Sequence, residues 1–194
     1  MVKNCGGLPL AIVVLRGLLA TKDSLAKWEM DLPYHLKPCF LYLGHYPEDW
    51  EISKKVLIRL WIAEGFILAS LESKEMLMEN VGEFYLEELI GRSLVQVARR
   101  DYTGRNVKTC RIHDLFRDLC IQNAREEKFL EILQAPLTEC NVSLEESMLR
   151  RIVIHPCKRD VCLKGEHPKL RSLLLFQNEE LITLHLSKCK SSNF

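Results

Sequence analysis

Residues 31–66, DLPYHLKPCFLYLGHYPEDWEISKKVLIRLWIAEGF, leave this chain few ways to fold. Two apolar runs are broken by a polar corner that cannot continue a helix. In the first run Leu36, Phe40 and Leu43 recur at three- and four-residue spacing, which places them on one helical face. Pro38 falls in the first turns, where a missing N–H costs little. Gly44 and Pro47 end this helix, and Pro47-Glu48-Asp49 supplies the turn. Ser53 stands where the N-cap of a second helix belongs. That helix carries Val56, Leu57, Leu60 and Trp61 on its apolar face, and Gly65 sits at the position of a C′ glycine. The stretch holds no nucleophile, base or metal cluster, so its residues speak for packing alone.

The remainder extends this pattern. A helix over 75–90 is marked by Leu77, Val81, Phe84, Tyr85 and Leu89, with Gly91 closing it. Two strand-like runs, 94–99 and 105–112, flank Asp101-Tyr102-Thr103-Gly104, a composition suited to a hairpin loop. Three helices followed by a hairpin is the order of a winged helix, and the fold expected is mainly α. Many winged helices bind DNA, and Arg99, Arg100, Arg105, Lys108 and Arg111 in the wing would suit that role. The third helix opposes it. Glu75, Glu79, Glu83, Glu87 and Glu88, with no Lys or Arg among them, would meet the phosphate charge of a groove. A solvated acidic face is the simpler reading, and no nucleic-acid partner is expected.

After the second wing strand come His113-Asp114 and a helix with Leu115, Phe116, Leu119 and Cys120 on one side. From spacing alone, Asp114 reads as the N-cap and helix-dipole partner, with His113 in the turn. Enzyme chemistry finds no footing. No Ser/His/Asp or Cys/His constellation can be argued from chain order, and the Glu87-Glu88 pair lies on a polar face. His155, Cys157, Cys162 and His167 make a poor zinc set, because a histidine precedes the C-x4-C pair. No G-x-x-x-x-G-K-[ST] loop occurs in the 194 residues, and no hydrophobic run ends in acidic residues as a Walker B strand does. Hydrolysis of a nucleotide is therefore not expected, and no catalytic or metal residue is assigned.

Composition adds bounds. A net charge of +1 gives no global field toward nucleic acid or anionic lipid. Eight cysteines contain no C-x-x-C pair, and Cys39 and Cys120 lie on apolar faces, so a reducing compartment without a disulfide framework is expected. The N-terminal run 8–15 imitates a signal peptide, but Arg16 breaks it and about 13 residues cannot span a bilayer. An amphipathic helix entered from Gly6-Gly7, with Pro9 as its first residue, fits better. Toward the other end, residues 135–146 are polar and include an Asn141-Val142-Ser143 sequon, which matters only in a secreted protein. Leu149-Arg150-Arg151-Ile152-Val153-Ile154 and Leu170-Arg171-Ser172-Leu173-Leu174-Leu175 match at an offset of 21 residues. Short strands at that period suit the first turns of a leucine-rich-repeat solenoid, with 181–186 as the beginning of a third and no partner on the far side. The basic excess over 150–171 seeks an acidic intramolecular partner or none.

Several of these strings carry a resemblance. Cys39-Phe40-Leu41-Tyr42-Leu43, Tyr46-Pro47-Glu48-Asp49 and residues 57–67 resemble the start of the winged-helix (second ARC) part of plant disease-resistance proteins of the coiled-coil, nucleotide-binding, leucine-rich-repeat class. Gly7-Leu8-Pro9-Leu10 resembles that family's GLPL motif, and Ile112-His113-Asp114 its Met-His-Asp motif with Ile for Met. The three lie in the family's order over about two-thirds of the chain. The resemblance implies a remnant of the first ARC subdomain over 1–30, a winged helix over 31–126, a linker over 127–146 and the start of the repeats over 147–194. It implies a cytoplasmic immune-receptor fragment in which Pro9 packs near the adenine of ADP or ATP. His113 would then contact the β-phosphate, and Asp114 would order the turn of the closed state. Partners would be the nucleotide-binding and repeat domains of the same receptor, or full-length receptors for which this chain acts as adaptor or decoy. In the family, several dozen residues separate a Leu-Ala-x-Trp-Glu segment (here 25–29) from Asp-Leu-Pro (here 31–33). Here the two are adjacent, so that part of the first ARC subdomain is expected to be missing. With no phosphate loop, the chain alone is expected not to bind nucleotide.

Overall fold

The structure, a computed structural model, describes residues 32–67, 77–134, 141–143, 150–155, 162–164, 169–177 and 180–185. The chain divides into two units, Met1–Pro38 and Cys39–Phe194. The helix read over residues 1–30, and with it Pro9, lies outside the described residues.

Helix α1 (Lys37–Leu43) has Pro38 in its first turn, as expected, but it buries more than one stripe. Cys39, Phe40, Leu41, Tyr42 and Leu43 are all buried, the mark of a helix wrapped on every side. Its end tightens through bonds from Gly44, His45 and Tyr46 N–H to the carbonyls three residues back, and Trp50 N–H closes the Pro47 turn at 3.3 Å. Strand β1 (Ile52–Ser53) leads into α2 (Lys54–Ala63). Ser53 is the N-cap residue, although its hydroxyl makes no capping bond. The buried face of α2 is Leu57, Ile58, Leu60 and Trp61, while Val56 is left exposed. At the far end Phe66 N–H reaches Trp61 O (2.9 Å) and Gly65 N–H reaches Ile62 O (3.0 Å). With Gly65 at φ 75°, this is the Schellman closure that its glycine announced.

Helix α3 (Met78–Gly91) buries Gly82, Leu86 and Leu89. Leu77 and Phe84, read as core, are exposed. The cause is Gly82: a Cβ there would lie 2.6 Å from Ile58 Cγ2 and 2.8 Å from Ile67 Cδ1. Helix α2 therefore crosses α3 over its glycine, and the face turns accordingly. Gly91 is the last helical residue, whereas the left-handed closing residue is Ser93 at φ 61°. Strands β2 (Val95–Arg100) and β3 (Val107–Ile112) form the wing, with register shifts between Val97 and Arg100. With β1 they make an antiparallel sheet ordered β1-β3-β2. The loop is held by Asp101, whose carboxylate accepts from Thr103 N–H (3.0 Å), Thr103 Oγ1 (2.5 Å) and Asn106 Nδ2 (2.7 Å). These bonds favour the ionised form and lower its pKa to about 2.

Helix α4 (Asp114–Glu126) ends on a third Schellman closure, with Lys128 at φ 51° in the glycine position and Phe129 N–H on Ala124 O at 2.8 Å. Then the architecture changes. Strands β4 (Glu131–Gln134), β6 (Arg151–His155) and β8 (Ser172–Gln177) pair in parallel, and β5 (Asn141–Ser143) pairs in parallel with β7 (Cys162–Lys164). Every one of these registers is offset by 21 residues: Glu131↔Ile152, Asn141↔Cys162, Arg151↔Ser172. The sequence offset thus reappears as strand pairing, and it also takes in β4, inside the stretch read as a linker. Strand β9 (Glu180–His185) is no third copy. It turns back antiparallel along β8, with Leu173 opposite Leu184 and Gln177 opposite Glu180. Strands occupy nearly as much of the described chain as helices, so the expectation of a mainly α fold is corrected to a winged helix with helices and strands, followed by a sheet.

The parallel sheet is buried on both faces, as such sheets are. Ile152, Ile154, Leu170 and Leu173 form one core with Leu133 and Leu175 against it. The alternate residues, Arg151, Val153 and His155 on β6 and Leu174 and Phe176 on β8, serve the other face. There Phe176 meets the rings of Tyr46, Trp50 and His155 at 4.4–5.8 Å between centroids.

Candidate functional site

His113 is the residue on which the sequence reading turns, and the fold gives it a defined post. It follows β3, where Ile112 is buried and opposite Val95, and it is itself the N-cap of α4. Its Nδ1 accepts from Leu115 N–H at 3.3 Å, and its carbonyl takes the first helical bond from Arg117 N–H at 2.9 Å. The cap is therefore His113 and not Asp114, which stands in the first turn as the acidic residue favoured at a positive helix end. A neutral imidazole that accepts at Nδ1 carries its proton at Nε2. That N–H, at the positive end of a 13-residue helix, is a donor suited to an anion.

What holds α4, and so His113, was not legible in the sequence. A Cβ on Gly44 would lie 2.7 Å from Cys120 Cβ and 3.2 Å from Ile121 N, so the end of α1 and the middle of α4 approach through a glycine. Cys120 Sγ donates to Phe40 O at 3.2 Å, and Arg117 Nε donates to Tyr46 O at 2.7 Å. Phe40 and Phe116 meet edge to face at 6.3 Å. No local pattern marks Arg117 or Gly44, because their partners lie tens of residues away.

The electrostatics near the site are those of a packed interior. Cys39, Cys110 and Cys120 are free thiols, all buried, and burial raises each, Cys110 to about 12. They act as small hydrophobes. His45 is fully buried, donates from Nδ1 to Tyr42 O, and is held by burial down at about 3. His155, packed on Phe176, is lowered by burial to about 4. Among the described residues no group of three His, Cys, Asp or Glu is arranged for a metal. Of the weighed zinc set, His155 faces the aromatic cluster, while the side chains of Cys157, Cys162 and His167 lie outside the described residues. Among the described residues no helix is long and apolar enough to cross a membrane.

On the wing, Arg99 Nε pairs with Glu51 at 2.6 Å and Arg100 donates to Arg105 O at 3.2 Å. Lys54 binds Glu83 at 2.8 Å, and α3 turns Glu79, Glu83 and Glu87 to solvent. The expected acidic partner of the basic tail exists for Arg151: Glu64, at 2.6 Å.

A three-stranded wing packed with α1, α2 and α3 defines the class of protein: a winged-helix domain, here followed by a helix and a parallel sheet. Residues 46–120 match the family described as disease resistance protein winged helix domain. The chain is 36% identical to the disease resistance protein RPP8, 35% to the disease resistance protein RPH8A and 36% to the disease resistance RPP8-like protein 3, all of Arabidopsis thaliana. Each similarity takes in 93% of this chain and 23% of the relative. The chain belongs to this family of disease resistance proteins, and it spans about a quarter of the length of these relatives. The alignment with RPH8A runs over 215 positions, whereas 93% of 194 residues is about 180, so about 35 positions of the relative have no counterpart here.

Proposed function

We propose that this chain is the winged-helix section of an immune-receptor switch, in which nucleotide state biases how the domain sits against its neighbours. His113 is the residue assigned to the nucleotide: Nδ1 serves the helix cap, and Nε2–H donates to the β-phosphate of ADP. The observation that carries this reading is the N-cap geometry, which leaves one imidazole donor beside a helix's positive end. Pro9 packs near the adenine in the same scheme. The phosphate loop comes from a partner domain, so the chain does not hydrolyse nucleotide, and ADP exchange for ATP releases the closed arrangement. The strands paired at a 21-residue offset begin a leucine-rich-repeat array, and the setting is cytoplasmic. A DNA-binding role is not favoured, since the acidic α3 would face the groove.

The test is retention of labelled ADP by the chain mixed with the phosphate-loop domain of a relative. Wild type is compared with His113→Asp, which keeps a good cap acceptor and repels phosphate. Retention only in the mixture, weakened at least tenfold by the substitution, is expected. Equal retention by His113→Asp would refute the role of His113. Retention by the chain alone would show that the loop is dispensable.

A further inference from the structure

Glu64 is badly placed for a carboxylate. It is the C-cap of α2, where the helix's negative end lies, and its side chain is only 2% exposed. Its Oε1 has no hydrogen-bond partner. One group compensates it: Arg151 Nε donates to Oε2 at 2.6 Å, from a side chain 7% exposed. The guanidinium carbon lies 4.7 Å from the ring centre of Phe66 and 4.5 Å from that of Phe129, and an Nη donates to Phe129 O at 3.4 Å. Phe66 and Phe129 hold the same post in two helices. Each is the residue after the left-handed one, Gly65 in α2 and Lys128 in α4, and each closes its Schellman bond. The ends of α2 and α4 therefore bring together two negative helix poles, two aromatic faces and a carboxylate, which is what a planar, delocalised cation binds. Arg151 opens β6, the central strand of the parallel ladder.

We infer that the meeting point of the α2 and α4 C-termini is a guanidinium receptor whose occupant is this chain's own Arg151, and that its occupation docks the parallel sheet on the winged helix. The contact is a ligand in its site and not merely packing, so it can be emptied and refilled. It stands independently of the nucleotide reading, since neither His113 nor ADP enters it.

The experiment is chemical rescue of the full chain. Arg151→Ala lowers the thermal midpoint by roughly 10 °C, the cost of a buried carboxylate left alone. N-methylguanidinium at millimolar concentration restores part of that fall and re-protects the β6 and β8 amides from hydrogen exchange. Methylammonium, a point charge without the planar fork, does not. Arg151→Ala/Glu64→Gln gains nothing from either salt. Rescue equal for both cations, rescue surviving Glu64→Gln, or no rescue at all would overturn the assignment. Should Arg151→Ala fail to fold, Arg151→Lys takes its place: N-methylguanidinium is expected to protect its β6 amides, and absence of that protection overturns the assignment equally.

Discussion

Replacing Gly44 by alanine tests the account of how α4 is seated. Gly44 lies outside a regular helix and has an ordinary negative φ, so backbone strain is not at issue. The new Cβ would meet Cys120 Cβ at 2.7 Å, Ile121 N at 3.2 Å and Cys120 C at 3.3 Å. All three are backbone or backbone-attached atoms, none able to swing aside, so relief requires the two segments to part by most of an ångström. Overpacking of that kind costs about 1–3 kcal/mol, and the loosened Cys120–Phe40 and Arg117–Tyr46 bonds put Gly44→Ala toward the upper end, about 3 kcal/mol. Gly91 is the matched control. It is the last helical residue of α3, and a Cβ there meets nothing within 4 Å, so Gly91→Ala gains up to about 1 kcal/mol of helix propensity. Urea unfolding followed by tryptophan fluorescence reads both: a midpoint lower by about 1–2 M for Gly44→Ala and unchanged or higher for Gly91→Ala. A Gly44→Ala protein within 0.5 kcal/mol of wild type (about the scatter of neutral surface changes) would show that α4 is not pinned there.

Two further outcomes follow from the same structure. His45 is held by burial at about 3 against an ordinary 6.5, so above pH 6.5 its neutral form costs folding nothing. Between 6.5 and 3 the unfolded chain takes a proton that the folded one refuses, and stability falls as pH falls, by about 2 kcal/mol from this group at pH 5. His155 adds a smaller loss in the same direction because it is only partly buried. A His45→Phe variant with an undiminished pH slope of the urea midpoint would exclude His45 as the source. Lys128 holds a left-handed conformation at φ 51°, so Lys128→Gly is expected to raise stability by up to about 1 kcal/mol, measured by thermal unfolding, and a fall would show that its side chain contributes more than its backbone costs.

The elements most legible in the sequence were those whose signals are local. Pro38, the Pro47 turn, Gly65 and the polar wing loop each act within a few residues, and each falls where its chemistry placed it. The misreadings share a cause in distance. Phe84 and Leu77 look like core because the helical period cannot reveal that Ile58 presses on Gly82. Asp114 looks like the cap because carboxylates usually are, yet His113 has the extended ψ of 142° and the acceptor within reach. Glu131-Ile132-Leu133 shares no letters with Leu-Arg, so β4 escaped a search that relied on likeness when the governing rule was spacing. Glu64 and Arg151, 87 residues apart, carry no mark of each other at all.

Strand β9 has a consequence for growth. A parallel ladder is open-ended: each strand offers the next a row of amide donors and acceptors, and an unfilled row also recruits foreign chains. By folding back along β8 from Leu181 opposite Phe176 to His185 opposite Ser172, β9 consumes that row with the wrong polarity for a further parallel strand. A fourth rung spaced 21 residues on must first peel β9 away. How far the ladder extends is therefore decided by a contest between hairpin and rung for one set of hydrogen bonds, and the same contest shields the edge from other molecules.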